Sequence, residues 1–233
     1  MQSELIRTEM MLGAEAIERL RSSKVIIFGI GGVGGYALEV IARSGVGEIA
    51  IVDADEVETS NINRQILALH STVGMTKVEV ARQRILDINP NCKVISYEMF
   101  YSAENADSID LSHYDYIVDC IDSVDSKMEL IRRSNGRIIS ALGAGRKQDP
   151  TQIRVSDIYQ TTVDPLAKVI RKRCRQEGIA RLKVAWSAEP PSAVAQCGED
   201  GKNIIASNAF VPAAMGIVIG SEVVKWCSGV MVK

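Results

Sequence analysis

Short apolar runs alternate with amphipathic stretches over the first 145 residues of the chain. Residues 24–28, 48–52, 114–119 and 137–141 are compact runs rich in Val and Ile, and residues 92–97 alternate apolar with polar. Each reads as a strand, and the uninterrupted runs read as strands covered on both faces. Between them the apolar spacing predicts helices over 32–44, 76–89 and 124–133. Gly45 and Gly47 stop the first, and Asn89-Pro90 stops the second because the residue before a proline disfavours helical backbone. One further helix is expected ahead of the first strand, over 9–21. Strands that alternate with helices pair in parallel, and right-handed crossovers then make a doubly wound, Rossmann-like α/β sheet with helices on both faces.

The rhythm changes after residue 145, where Pro150, Pro165, Pro190 and Pro191 punctuate shorter elements. Residues 162–177 read as a helix and 181–186 as a strand. The segment 189–203 mixes Pro, Ser, Gly and charge without a period and reads as a mobile surface loop. Residues 209–224 are mostly apolar but interrupted by Pro212, Ser221 and Glu222. They fall short of the ~20 apolar residues that span a bilayer, so a buried helix is expected and membrane association is not. At 233 residues the chain suits a single domain, with a core over 1–150 and a C-terminal extension over 151–233 for substrate and dimer contacts.

Hydrophobic residues at 46% and charged residues at 24% exclude disordered and coiled-coil classes. Lys and Arg total 27 against 29 Asp and Glu, a net charge of −2, so any nucleic-acid binding has to come from a local patch. One such patch lies between residues 165 and 183, where Lys168, Arg171, Lys172, Arg173, Arg175, Arg181 and Lys183 face the single Glu177. Cations clustered like this contact phosphates without reading base sequence. The five cysteines are an odd number without a CxxC pair, which argues against a disulfide framework and against thiolate-bound zinc. Cys92 and Cys120 fall at strands and read as core. Cys174, among cations, would have a lowered pKa if exposed, and Cys197 sits in the 189–203 loop as an accessible thiol without an assigned role. His70 and His113 lack metal-ligand spacing. The N-terminal residues lack the basic-then-apolar pattern of a signal peptide, so the cytoplasm is the expected compartment.

The chemistry is concentrated in four segments. Gly29-Ile-Gly31-Gly32-Val-Gly34 follows the first strand and opens a helix, the context in which G-x-G-x-x-G seats a phosphate on backbone N–H groups. Asp53 ends the second strand, where a carboxylate can accept ribose hydroxyls. By itself this fingerprint favours a dinucleotide such as NAD. The continuation argues otherwise: Asp55, Asn61 and Gln65 follow together with the cations Arg64 and Lys77, and such cations neutralise a triphosphate rather than assist hydride transfer. Asp119 and Asp122 end a later strand, with Ser123 next, at the sheet edge where these folds bind ligands. Asp122 is placed there to hold Mg²⁺.

The segments GIGGVGG, VDADEVETSNINRQ, VGMTKVEV and DCIDS, in that order, resemble the ThiF/MoeB/HesA superfamily of ubiquitin-activating-like enzymes. The resemblance implies an enzyme that adenylates a carboxylate with ATP and Mg²⁺. It implies that Gly29, Gly31, Gly32, Gly34, Asp53, Asp55, Asn61, Arg64, Gln65, Lys77, Asp122 and Ser123 bind the nucleotide. Arg64, Lys77 and Asp122 would be catalytic, with Asp122 carrying the metal. The segments RTEMMLG, LGAG, DPTQI and DPLA are similar to the branch that dehydrates threonylcarbamoyladenosine in tRNA. That branch implies a tRNA partner, a homodimer, Arg7 reaching a neighbouring subunit's ATP, and a sulfur-transfer partner protein. The basic residues Lys168, Arg171, Lys172, Arg173 and Arg175 then become candidates for the tRNA surface. Two other readings are an adenylyltransferase acting on the C-terminal glycine of a small sulfur-carrier protein, and a non-catalytic nucleotide-binding scaffold. Sulfur-carrier adenylyltransferases often carry two CxxC pairs, which this chain lacks.

Overall fold

A computed structural model describes residues 4–192, 196–197 and 203–230. Seven strands form one sheet: β1 (Lys24–Phe28), β2 (Glu48–Asp53), β3 (Lys93–Glu98), β4 (Tyr116–Asp119), β5 (Ile138–Ala141), β6 (Ile153–Asp157) and β7 (Lys183–Ser187). Their order is β3-β2-β1-β4-β5-β7-β6, parallel throughout except for the antiparallel β6–β7 pair. The chain therefore winds one way from β1 through β3, then returns to the other side of β1 for β4. This reversal opens a crevice beyond the carboxyl ends of β1 and β4.

The apolar run of β1 is buried on both faces because it lies at the centre. Val25 and Ile27 enter one core with Leu38 and Ile41, and Ile26 and Phe28 enter the opposite core with Ile117 and Met128. Helices α3 (Gly34–Arg43), α4 (Lys77–Ile88) and α7 (Phe210–Ser228) contribute Leu38, Ile85 and Ile219 to the first core. Helices α5 (Val124–Arg133) and α6 (Pro165–Gln176) contribute Met128 and Ile170 to the second.

Three expectations are corrected, and one strand was not foreseen. The N-terminal helix is two helices, α1 (Ile6–Leu12) and α2 (Ala14–Ser22), because Gly13 turns the chain with φ +88°. Strand β6 has no strong apolar run, and its partial burial is created by pairing with β7 at the sheet edge. Helix α6 starts at Pro165, not 162, because Pro suits the first helical position and Asp164 caps it by accepting the Ala167 N–H at 2.9 Å. In the segment read as a loop, Gln196–Cys197 (β8) pairs antiparallel with Asn203–Ile204 (β9), while residues 193–195 and 198–202 and the Cys197 side chain lie outside the described residues.

The C-terminal apolar stretch forms α7, longer than expected and buried along one side only, with Phe210, Ile217 and Trp226 exposed. By length and composition it could cross a membrane. Its glycines instead admit α3: a Cβ at Gly216 would stand 2.3 Å from the Val33 carbonyl oxygen, and one at Gly220 would stand 2.6 Å from Val40 Cβ. We expect Gly216→Ala to push α7 away from a backbone atom that cannot rotate aside. The cost should be about 1–3 kcal/mol, read as a lowered midpoint in urea unfolding.

Candidate active-site cleft

A cleft of about 890 Å³ opens at the carboxyl ends of the central strands. Its floor is the glycine loop between β1 and α3. Gly29 sits at φ +79°, and a Cβ there would approach the Cys120 carbonyl oxygen to 2.7 Å; one on Gly34 would overlap the Gly29 carbonyl oxygen at 1.8 Å. Glycine at both positions draws β1, β4 and α3 together, so the free N–H groups at the start of α3 face the cleft. Gly31 and Gly32 also line it.

Asp53 stands at the end of β2 with both oxygens engaged: Oδ2 accepts the Ile30 N–H at 2.8 Å, and Oδ1 accepts the Asp55 N–H at 2.9 Å. It thereby pins the glycine loop and the following turn. Lys77, the first residue of α4, is buried, with Nζ 2.6 Å from Asp55 Oδ2 and 3.9 Å from Asp53 Oδ1. Arg64 donates from Nη1 to the Ser60 carbonyl at 2.8 Å and to Asn63 Oδ1 at 2.9 Å, so no carboxylate neutralises it among the described residues. Asn61 and Gln65 are buried beside it, and Asn61 Oδ1 accepts the Glu58 N–H. Asp53, Asp55, Asn61, Arg64, Gln65 and Lys77 all line the cleft.

The two carboxylates at the end of β4 differ in state. Asp119 is fully buried and accepts from Lys127 Nζ at 2.7 Å, and the same ammonium donates to the Ala141 carbonyl at 3.0 Å. This pair ties the ends of β4 and β5 together from beneath. Asp122 is exposed at the cleft, without an ion pair or side-chain hydrogen bond among the described residues. Ser123 occupies the N-cap position of α5 and is not part of the lining.

The far wall was not assigned from sequence. It is built from residues 141–147, Asp164 to Leu166, Pro191, Ile205 and Ser207. Lys147, 2% exposed, donates from Nζ to Asp164 Oδ2 at 2.9 Å and to the Ser187 carbonyl at 3.3 Å. A Cβ on Gly143 would come within 2.8 Å of Asp164 Oδ2, so the LGAG segment lies directly on this carboxylate. The DPLA and LGAG motifs were visible in the chain, but their mutual contact is tertiary.

Other expected site residues lie elsewhere. Arg7 is exposed on α1, outside the lining. The basic cluster on α6 is less uniform than its sequence suggests: Arg173 pairs with Asp125 and Glu177, Arg171 donates to the Thr161 carbonyl, and Arg175 lies over the Tyr159 ring. Lys168 and Lys172 are exposed and free of ion pairs among the described residues. Cys174 does not meet the condition of exposure under which a lowered pKa is expected: it follows Ala167 and Ile170 on the buried stripe of α6, and burial raises its thiol to about 11. Burial likewise raises Cys92 to about 11 and Cys120 to about 12.

A model of the ThiF family matches residues 3–233. The tRNA threonylcarbamoyladenosine dehydratase of Bacillus subtilis (strain 168) is 41% identical over 239 residues, covering 96% of this chain and 94% of that protein. The protein of the same name from Escherichia coli (strain K12) is 40% identical over 173 residues, covering 73% of this chain and 65% of that protein. The solved structure of E. coli tRNA N6-threonylcarbamoyladenosine dehydratase in complex with ATP aligns with a TM-score of 0.86 at 33% identity, over 97% of this chain and 94% of that chain.

Two outcomes are expected from this geometry. Lys127→Met should leave the Asp119 carboxylate buried and unpaired, lowering stability by about 3–5 kcal/mol in urea unfolding. At pH 8 a thiol with its pKa near 11 is only ~0.1% thiolate, so Cys174 should resist iodoacetamide in the folded protein and react once urea unfolds it, as peptide mass mapping would show.

Proposed function

The chain belongs to the ThiF family, and from that premise we propose that it uses ATP to adenylate the carboxylate of N6-threonylcarbamoyladenosine in tRNA and closes the modified group into a ring with net loss of water. The observation that carries this reading is the convergence of the glycine loop, Arg64, Lys77 and the unpaired Asp122 on one cleft. Likeness to the B. subtilis relative over nearly the whole chain, beyond the nucleotide half alone, favours the tRNA substrate over a sulfur-carrier protein.

In this reading Asp53 contacts the ribose, and the loop N–H groups, Asn61, Arg64 and Lys77 hold the phosphates. Water leaves a carboxylate poorly, whereas AMP leaves readily. A carboxylate oxygen of the substrate attacks the α-phosphorus and the bond to pyrophosphate breaks. An atom of the neighbouring carbamoyl group then attacks the acyl carbon, the bond to AMP breaks, and a proton is lost. The products are cyclised nucleoside, AMP and pyrophosphate, so ATP takes up the elements of water and no protein nucleophile is needed. Arg64 and Lys77 supply positive charge where negative charge accumulates on the transferring phosphate, a positioning and electrostatic task.

Mg²⁺ suits the donor set: it is commonly bound by one or two carboxylates together with substrate phosphates and water, and Asp122 offers a free carboxylate at the cleft. Bound there, the ion would neutralise phosphate charge. The tRNA docks against α6, with Lys168 and Lys172 as its available cations. A homodimer, with Arg7 reaching its neighbour's nucleotide, would use the exposed apolar side chains Met10 and Met11 of α1 and Ile217 of α7. A cytoplasmic location and a sulfur-transfer partner protein belong to the same reading, which a tRNA substrate supports.

The test is AMP release from ATP in the presence of tRNA bearing threonylcarbamoyladenosine, with nucleoside mass spectrometry to detect loss of water. We expect Arg64→Ala to slow the reaction by roughly 10²–10³-fold through lost charge stabilisation. Asp122→Ala should abolish it while leaving thermal unfolding near that of the wild type. Near-normal rates in both variants would overturn the assigned roles.

A further inference from the structure

Among the described residues, the far wall carries one unpaired cation that the proposed nucleotide chemistry leaves unused. Arg146 lines the cleft, and its guanidinium has no hydrogen-bond or ion-pair partner among the described residues. Its backbone sits at φ +58°, a left-handed conformation uncommon for residues other than glycine. Apart from Asn135, it is the only non-glycine residue with positive φ among those described.

The surroundings enforce this conformation. The Arg146 N–H donates to the Ala206 carbonyl at 2.8 Å, and the Arg146 carbonyl accepts the Ser192 N–H at 2.7 Å. The next residue is fixed at both ends: the Lys147 carbonyl accepts from Asn208 Nδ2 at 2.6 Å, and its ammonium is locked to Asp164 inside the wall. A turn tied at this many points, at the cost of an unfavourable backbone angle, presents one side chain to the cleft in a set orientation. Backbone strain of this kind gathers at ligand-binding positions.

We propose that Arg146 binds the carboxylate of the incoming acyl substrate, an inference that rests on the adenylation reading above. A carboxylate approaching a triphosphate meets like charge, and the cations near the glycine loop are already directed at the nucleotide. A cation on the opposite wall offsets that repulsion and orients the carboxylate, and a guanidinium is the side chain whose planar fork matches a carboxylate. The site therefore takes an anionic acyl group, not a neutral ester or amide of the same shape.

The experiment compares binding of tRNA bearing threonylcarbamoyladenosine with binding of the same tRNA lacking that group, and separately measures ATP affinity. The wild type and the variants Arg146→Gln and Arg146→Gly are used. Glycine removes the guanidinium while suiting the left-handed backbone, so its fold is secure even if glutamine strains the turn. We expect the wild type to prefer the modified tRNA and both variants to lose about 10- to 100-fold of that preference, with ATP affinity unchanged. A methyl ester of the modified nucleoside should bind wild type and variants alike. An undiminished preference in Arg146→Gly overturns the assignment, and so does an equal loss of ATP affinity, which would place Arg146 at the nucleotide. If the wild type neither prefers the modified tRNA nor releases AMP with it, the adenylation reading itself fails and takes this inference with it.

Discussion

Everything at the cleft depends on a steric constraint of a few ångströms: the α-carbon of Gly34 lies so close to the Gly29 carbonyl that no side-chain carbon fits between them. Because that approach is open to glycine alone, the chain leaves β1, turns at once into α3 and aims the N-terminal end of that helix at the space above the sheet. The second close approach, between Gly29 and the Cys120 carbonyl, brings β4 against the same loop at the point where the strand order reverses. The cleft is thus a consequence of winding, and the glycines set how near its floor a phosphate can come.

Two buried lysine–aspartate pairs extend this construction away from the loop. Lys127 and Asp119 join the ends of β4 and β5, and Lys147 and Asp164 join the segment after β5 to the start of α6 and the end of β7. Replacing such a pair by apolar residues need not destabilise a protein, but removing one partner does, because the other is left charged and dry. What the pairs supply here is geometry. One supports the turn carrying Asp122, and the other supports the turn carrying Arg146. Asp122 and Arg146 are unpaired at the cleft surface among the described residues, Lys77 is held against Asp55, and the two buried pairs lie behind them.

Helix α7 closes the structure from one side. Its glycines let it approach α3 closely, and its first turn lies against the glycine loop, where Pro212 would touch a Cβ placed on Gly32. Asn208 links the two regions: its Oδ1 accepts N–H groups at the start of α7, while its Nδ2 holds the Lys147 carbonyl. The residues after 151 therefore complete the sheet and the cleft, since β6 and β7 continue the same sheet and Asp164 reaches the site.

Local chemistry already specifies much of this protein in its sequence. Apolar runs become central strands because any other placement exposes them, and the glycine spacing marks the loop because a phosphate needs bare backbone there. Asp53 and Asp122 could be singled out since each ends or closely follows its strand, and Arg64 and Lys77 by their place in the motif segments that come after Asp53. Tertiary structure alone decided features that depend on partners distant in the chain. Strand β6 is a strand because β7 lies beside it, and Cys174 is buried because its helix turns that face inward. Arg173 is neutralised by Asp125 from another helix, 48 residues away. The difference between Asp119 and Asp122, three residues apart, is of the same kind. One points into the core and meets Lys127, the other points into solvent, and no property of either aspartate announces which.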